Sequence, residues 1–184
     1  SGDGATAGIW ERVDPNATFL SDIEIQPEDD HTTDPGTICF ITGQSDPGAS
    51  QQANDVDDGV TTLLSPVFDL SSYPNAWVSY HRWYTNDTGD SPGLDFWSVD
   101  VSPDAGDTWV NLEHTNISNR TWLRVEHNLL DHVPLTSTMM FRFVARDEGD
   151  GSVVEAGVDD FEITTYIGGV SSGMPWETPV PTAA

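Results

Sequence analysis

Ala76-Trp77-Val78-Ser79-Tyr80-His81-Arg82-Trp83-Tyr84 decides the fold, because aromatic and β-branched side chains crowd a run with no helical spacing of apolar residues. Such a run reads as a β-strand. The next is Asp95 to Ser102, and a Pro103-Asp104-Ala105-Gly106 turn then leads into Thr108 to Leu112, which predicts a hairpin. Period-two alternation continues on both sides. Strands are expected at 8–13, 19–25, 37–42, 61–68, 122–129, 138–146 and 153–165, with almost no helix. About ten short strands separated by turn signals predict an all-β chain folded as a two-sheet antiparallel sandwich of the jelly-roll kind. Residues 8–166 form that sandwich, 1–7 a small polar N-terminal extension, and 167–184 a tail too rich in proline for a central strand.

Composition narrows the partners. Thirty-one carboxylates face six arginines and no lysine, a formal charge of −25 on 184 residues. Such a chain repels nucleic acid and repels itself unless cations or salt compensate. An acid-rich, lysine-free surface also suits life in high salt with no bound ion at all. The single cysteine, Cys39, makes no internal disulfide and reads as a buried thiol within Thr37 to Ile41. A first residue that is serine, with no run of eighteen apolar residues, is what a trimmed export product looks like, although a recombinant chain would start the same way. Membrane insertion is not expected, and an extracellular or cell-surface location is. Sequons at Asn16, Asn86, Asn116 and Asn119 are candidate glycosylation sites.

Ser102-Pro103-Asp104-Ala105-Gly106-Asp107-Thr108-Trp109 matches the Asp-box pattern S-x-D-x-G-x-T-W, in which the aspartate binds the turn and the glycine takes a positive φ. Together with Leu64 to Tyr73, the Trp/Tyr-rich strand, Phe141-Arg142-Phe143 and Val158 to Ile163, it follows an order that resembles MAM-type and carbohydrate-binding-module-like jelly rolls. These are domains of the kind attached to secreted bacterial metallopeptidases of the immune inhibitor A-like and zinc carboxypeptidase types. The resemblance spans about residues 8–165 and implies a non-catalytic extracellular sandwich that often holds structural calcium. The cysteine pairs of eukaryotic MAM domains are missing, so receptor-type adhesion does not carry across.

Calcium is also suggested by the residues, since hard cations take six to eight oxygen ligands. Acidic turns offer them at Glu28-Asp29-Asp30, at Asn54 to Gly59, at Asn86-Asp87 with Asp90 and Asp95, and at Asp147 to Asp160. The resemblance implies a site joining Asp159 or Asp160 to Glu28, Asp29 and Asp30. Asp55 and Asp57, alternating along one loop, suggest a second with Asp147 and Glu155, and Asp87 is a further candidate. Ordinary solvated turn acids would read the same way.

Strand alternation places Tyr80, Arg82 and Tyr84 on one face, and Arg142 and Arg146 share a face of another strand. Aromatic platforms beside forked arginine donors suit a glycan or other surface ligand, while the plainer reading makes them core aromatics and partners for acids. The five histidines show neither HExxH nor another zinc spacing, no G-x-S-x-G elbow occurs, and acids are too abundant to single out a hydrolytic pair, so no enzyme is expected. Two other roles fit the same sequence. One is a self-assembling subunit of an extracellular filament or surface layer, with a terminus docked on its neighbour and Trp176 as an apolar anchor. The other is an accessory domain of a larger exported hydrolase.

Overall fold

A computed structural model describes residues 3–33, 35–149, 151–167 and 170–175. The chain is a β-sandwich. Its larger sheet runs β1 (Trp10–Val13), β4 (Cys39–Thr42), β12 (Ser152–Ile167), β7 (Ala76–Gly89) and β10 (Asn119–Asn128), with β13 (Val170–Pro175) added beside the far end of β12. The facing sheet runs β6 (Gly59–Leu64), β11 (Met140–Asp147), β8 (Trp97–Ser102) and β9 (Val110–Thr115). A single 3-10 turn, Leu129–Asp131, is the helical content among the described residues, and no helix there is long and apolar enough to cross a membrane.

Alternation sets the core. Val78, Tyr80 and Tyr84 of β7 and Val154, Ala156 and Val158 of β12 point inward to meet Val99, Val101, Phe141 and Phe143 of the facing sheet. Full burial of such side chains contributes about 1.5–3 kcal/mol each, which is what closes the two layers. Cys39 is buried and unpaired, as expected, and burial pushes its thiol well up. The Asp-box also forms as read. Asp104 accepts from the Thr108 amide at 2.8 Å, Ser102 Oγ takes the Gly106 amide at 2.8 Å, and Gly106 has φ 96°.

Two features depart from the expected outline. The run 19–25 divides into β2 (Thr18–Leu20) and β3 (Ile23–Gln26), because Ser21 adopts the left-handed conformation at φ 55°. With β5 (Ala49–Ser50) these form a third, three-stranded sheet, so the fold is a sandwich with an extra layer. That layer covers part of the outer face of the larger sheet, where Trp83 Nε1 and Thr85 Oγ1 of β7 donate to the Ile25 carbonyl at 2.7 and 3.2 Å. The N-terminal extension lies along the sandwich edge, with the Gly4 and Ala5 amides donating to the Val60 carbonyl and Ala7 bridged to Asp57. Trp176 and the rest of 176–184, through which a polymer would be joined, lie outside the described residues.

Candidate functional site

The extra layer traps polar groups against the outer face of the larger sheet. Thr18, Gln26, Thr42 and Glu155 are all fully buried there. Gln26 Nε2 donates to Glu155 Oε2 at 2.9 Å and to the Thr42 and Gly43 carbonyls at 2.7 and 3.1 Å, and Thr42 Oγ1 donates to the same carboxylate oxygen at 3.2 Å. Glu155 Oε1 and Gln26 Oε1 have no well-formed hydrogen bond although both are sealed from water, and the Thr18 hydroxyl is the donor nearest to hand for the Glu155 carboxyl. Buried acceptors left without good donors are costly, so two in adjacent side chains call for a cation or a proton.

The same corner gathers further carboxylates. Asp55 and Asp147 are buried, with Asp57 half-buried beside them and Asp95 buried next to Asp147. Burial, then Asp57, pushes the Asp55 carboxyl up to about 7, and Asp147 rises to about 6 mainly through burial, with Asp95 and Asp57 adding to it. Burial first and then Asp55 hold Glu155 well above the ordinary carboxylate range. Asp55, Asp57, Asp147 and Glu155, expected as one group of ligands, thus stand near enough to repel one another in a chain. A groove of about 290 Å³ lined by Asp55, Asp57, Asp90 and Ser152 opens beside it. The donors are all oxygens, the type a hard cation takes, but no three carboxylate oxygens of Asp55, Asp57, Asp147 and Glu155 lie within 4.8 Å of one another.

The sign of the titration follows. A carboxyl raised from 3.8 to about 7 holds its proton more tightly in the folded state, so its contribution is full below pH 3.8 and is lost as pH rises through 7. A bound cation reverses the balance by favouring the charged form.

The other expected pairing comes together differently. The loop after β3 lies on a bulge in β12, between Asp159 and Glu162, where Asp160 takes φ 48°. Burial and then the like charges of Asp159 and Asp160 raise the Asp30 carboxyl, so Asp30 stands near this pair and is repelled by it. Glu28 and Asp29 stay exposed, and Asp29 contributes its carbonyl to the Trp122 indole at 3.1 Å. The oxygens of Asp159 and Asp160 are taken by protein donors: the His31 and Thr32 amides to Asp159 Oδ2 at 2.9 and 3.3 Å, and Thr32 Oγ1 to Asp160 Oδ1 at 2.7 Å. A calcium cage of acids is not what stands there.

Other assignments need correction. Tyr80, Arg82 and Tyr84 do share a face, but it is the inner one, and all three are buried between the sheets. They line no open groove. Arg82 Nε donates to Glu113 Oε1 at 2.7 Å, and Glu113 Oε2 accepts from the Tyr80 hydroxyl at 2.7 Å and the Trp97 indole at 3.0 Å. Arg142 and Arg146 lie on the outer face of the opposite sheet. Arg142 Nε donates to Asp100 Oδ2 at 2.7 Å while its guanidinium lies 4.4 Å over Trp109, and Arg146 stands 3.6 Å from Glu148. Asp87 is the ion-pair partner of Arg120 rather than part of an acidic cage. Asn86 is buried, with its amide donating to the Asp95 carbonyl at 2.7 Å, so no glycan fits on it. Asn16 donates to the Ser45 carbonyl, whereas Asn116 is exposed and Asn119 half-exposed.

Gln26 and Thr42 escaped the sequence reading, and His31 and His81 were set aside there because the histidines show no zinc spacing. The three polar positions of the sealed corner and its glutamate lie far apart in the chain, Gln26 and Glu155 by 129 residues, so no local pattern marks them.

No protein-family model and no curated protein sequence matches the chain. Among solved structures it is similar to the K3 adhesin domain of Lys-gingipain from Porphyromonas gingivalis W83, at 14% identity and TM-score 0.42, over 86% of this chain and 91% of that one. It is also similar to the CBM22-1–GH10 modules of xylanase 10B from Clostridium thermocellum, at 11% identity and TM-score 0.40, where it covers 89% of this chain but 29% of that one. A third is the CBM22-1 xylan-binding domain of Xyn10C from Paenibacillus barcinonensis, at 12% identity and TM-score 0.36, over 90% and 96%. None of these three is a MAM-type domain of a metallopeptidase. Similarities this low carry no inference about ligand or activity.

Proposed function

We propose that the chain is a non-catalytic, calcium-stabilised interaction module of an exported protein, with a glycan or surface ligand taken on the outer face of the four-stranded sheet. The observation that carries the calcium half is Glu155, fully buried with one oxygen lacking a well-formed hydrogen bond, beside an equally buried Gln26 whose own oxygen is left the same way. Glu155, Asp55 and the Gln26 side-chain oxygen would hold the ion, with Asp57 and Asp147 adding charge. Calcium there supplies positive charge that lets the acidic corner close, and Thr42 and the Gln26 amide fix the Glu155 carboxylate in place.

The ligand half rests on Arg142, about one-third exposed, with its plane set between Asp100 and Trp109. A guanidinium fixed on both sides presents its remaining N–H groups at little entropic cost. Arg146, on the same face two alternations away, adds a second donor group, and Asn111, bonded to Asp100 at 2.9 Å, adds amide functions. Arrays of such planar polar groups beside an indole suit sugar hydroxyls. The test is binding of the calcium-loaded protein to an array of neutral and acidic glycans, with Arg142→Ala as control. At least a tenfold loss on substitution is expected. An array with no signal for the wild type removes the glycan.

A further inference from the structure

Beneath the loop after β3, two histidines fifty positions apart in sequence are stacked face to face. The His31 and His81 ring centroids are 3.4 Å apart with planes 12° from parallel. Both direct Nδ1 at one oxygen, Asp160 Oδ2, at 2.7 Å for His31 and 3.5 Å for His81. Among the described residues this is the one group of three His, Cys, Asp or Glu side chains with ligand atoms all within 4.8 Å of one another. We propose that His31, His81 and Asp160 form a binding site for a borderline divalent transition-metal ion of the zinc type, separate from the buried oxygen cluster at Glu155.

The spacing is close to that of a tetrahedral centre. Metal–nitrogen and metal–oxygen bonds of about 2.0–2.2 Å put neighbouring tetrahedral ligand atoms about 3.4 Å apart. The His81–Asp160 separation of 3.5 Å already meets that, and the His31–Asp160 contact must open from 2.7 Å. His31 is the member able to move, because it sits exposed on a loop, while His81 is held within β7 between β10 and β12. Metal entry displaces the hydrogen bond between His31 and Asp160 and splays the stacked rings, since nearly parallel imidazoles cannot both aim their lone pairs at one ion.

The surroundings prepare the ligands. His81 Nδ1 is shielded from solvent and makes no hydrogen bond. Thr32 fixes Asp160 Oδ1, and Asp159 anchors the loop through two backbone amides, which is the outer-shell support metal ligands require. Asp160 reaches the histidines only because the β12 bulge holds it in a strained left-handed conformation, and bulges of this kind re-aim side chains at functional sites. Three protein ligands leave a fourth position for water, and a groove of about 520 Å³ lined by Asp160, Arg12, Phe40 and Phe161 opens alongside. Two imidazoles select zinc-type ions over calcium or magnesium.

The test is titration of the full chain, free of any histidine tag, with Co2+ in excess calcium, followed by competition with Zn2+. One equivalent of Co2+ giving intense visible bands of a low-coordinate centre, displaced by Zn2+ but not by further Ca2+, is expected. His31→Ala, on the exposed loop where folding is least at risk, is expected to lower the affinity at least tenfold, as are His81→Ala and Asp160→Asn, with circular dichroism unchanged. Absence of saturable Co2+ and Zn2+ binding to the wild type overturns the site, and so does equal affinity in His31→Ala.

Discussion

Arg82→Leu is expected to destabilise the fold by about 3–5 kcal/mol, the usual cost of stripping one partner from a buried ion pair. Arg82 and Glu113 are 6% and 14% exposed, and the substitution leaves the Glu113 carboxylate between the sheets with only the Tyr80 hydroxyl and the Trp97 indole as donors. At roughly 2–4 °C per kcal/mol for a domain of this size, the melting temperature falls by the order of 10 °C. The double variant Arg82→Leu/Glu113→Leu recovers at least half of the loss, because an apolar pair of similar volume carries no desolvation cost. A single-variant loss under about 1 kcal/mol in urea unfolding contradicts the burial of this pair.

Gly43→Ala is the second large effect. Gly43 closes β4 at φ +62°, and a β-carbon there stands 2.0 Å from the Asn54 carbonyl oxygen. Strain and clash together cost about 3 kcal/mol or more. The damage reaches the acidic corner, because the Gly43 carbonyl accepts from Gln26 and Asn54 immediately precedes Asp55. Stability and calcium affinity therefore fall together, in contrast to Arg82→Leu, which spares the corner. Thermal melts with and without calcium separate the two variants.

The strands were legible because period two is local. Ala76 to Tyr84 announced β7, and the Asp-box announced the turn between β8 and β9. The division of 19–25 was not legible, since Ser21-Asp22 turns without glycine or proline. Alternation also says which residues share a face but not which face is inside. Arg82 sits inside because Glu113 of the facing sheet receives it, a contact across 31 positions that no local pattern encodes. Acid abundance misled in the same way. Asp87, in a promising cluster, is used by Arg120, while Asp55 and Glu155, far apart in the chain, meet only after β12 and the third sheet are in place. His31 and His81 lacked motif spacing because a loop and a strand, not one helix, bring them together.

Melting temperature in low salt, with chelator or with calcium, bears most directly on a cation at the Glu155 corner. In chelator, stability is expected to fall as pH is raised from about 4 to about 7, as Asp55, Asp147 and Glu155 are forced to ionise without a counter-charge. Calcium at a thousandfold excess over its dissociation constant adds about 4 kcal/mol near pH 7, of the order of 10 °C, and flattens the pH dependence. Glu155→Gln abolishes the calcium response and is no less stable than the wild type in chelator. Identical melts with and without calcium near pH 7 would contradict the site.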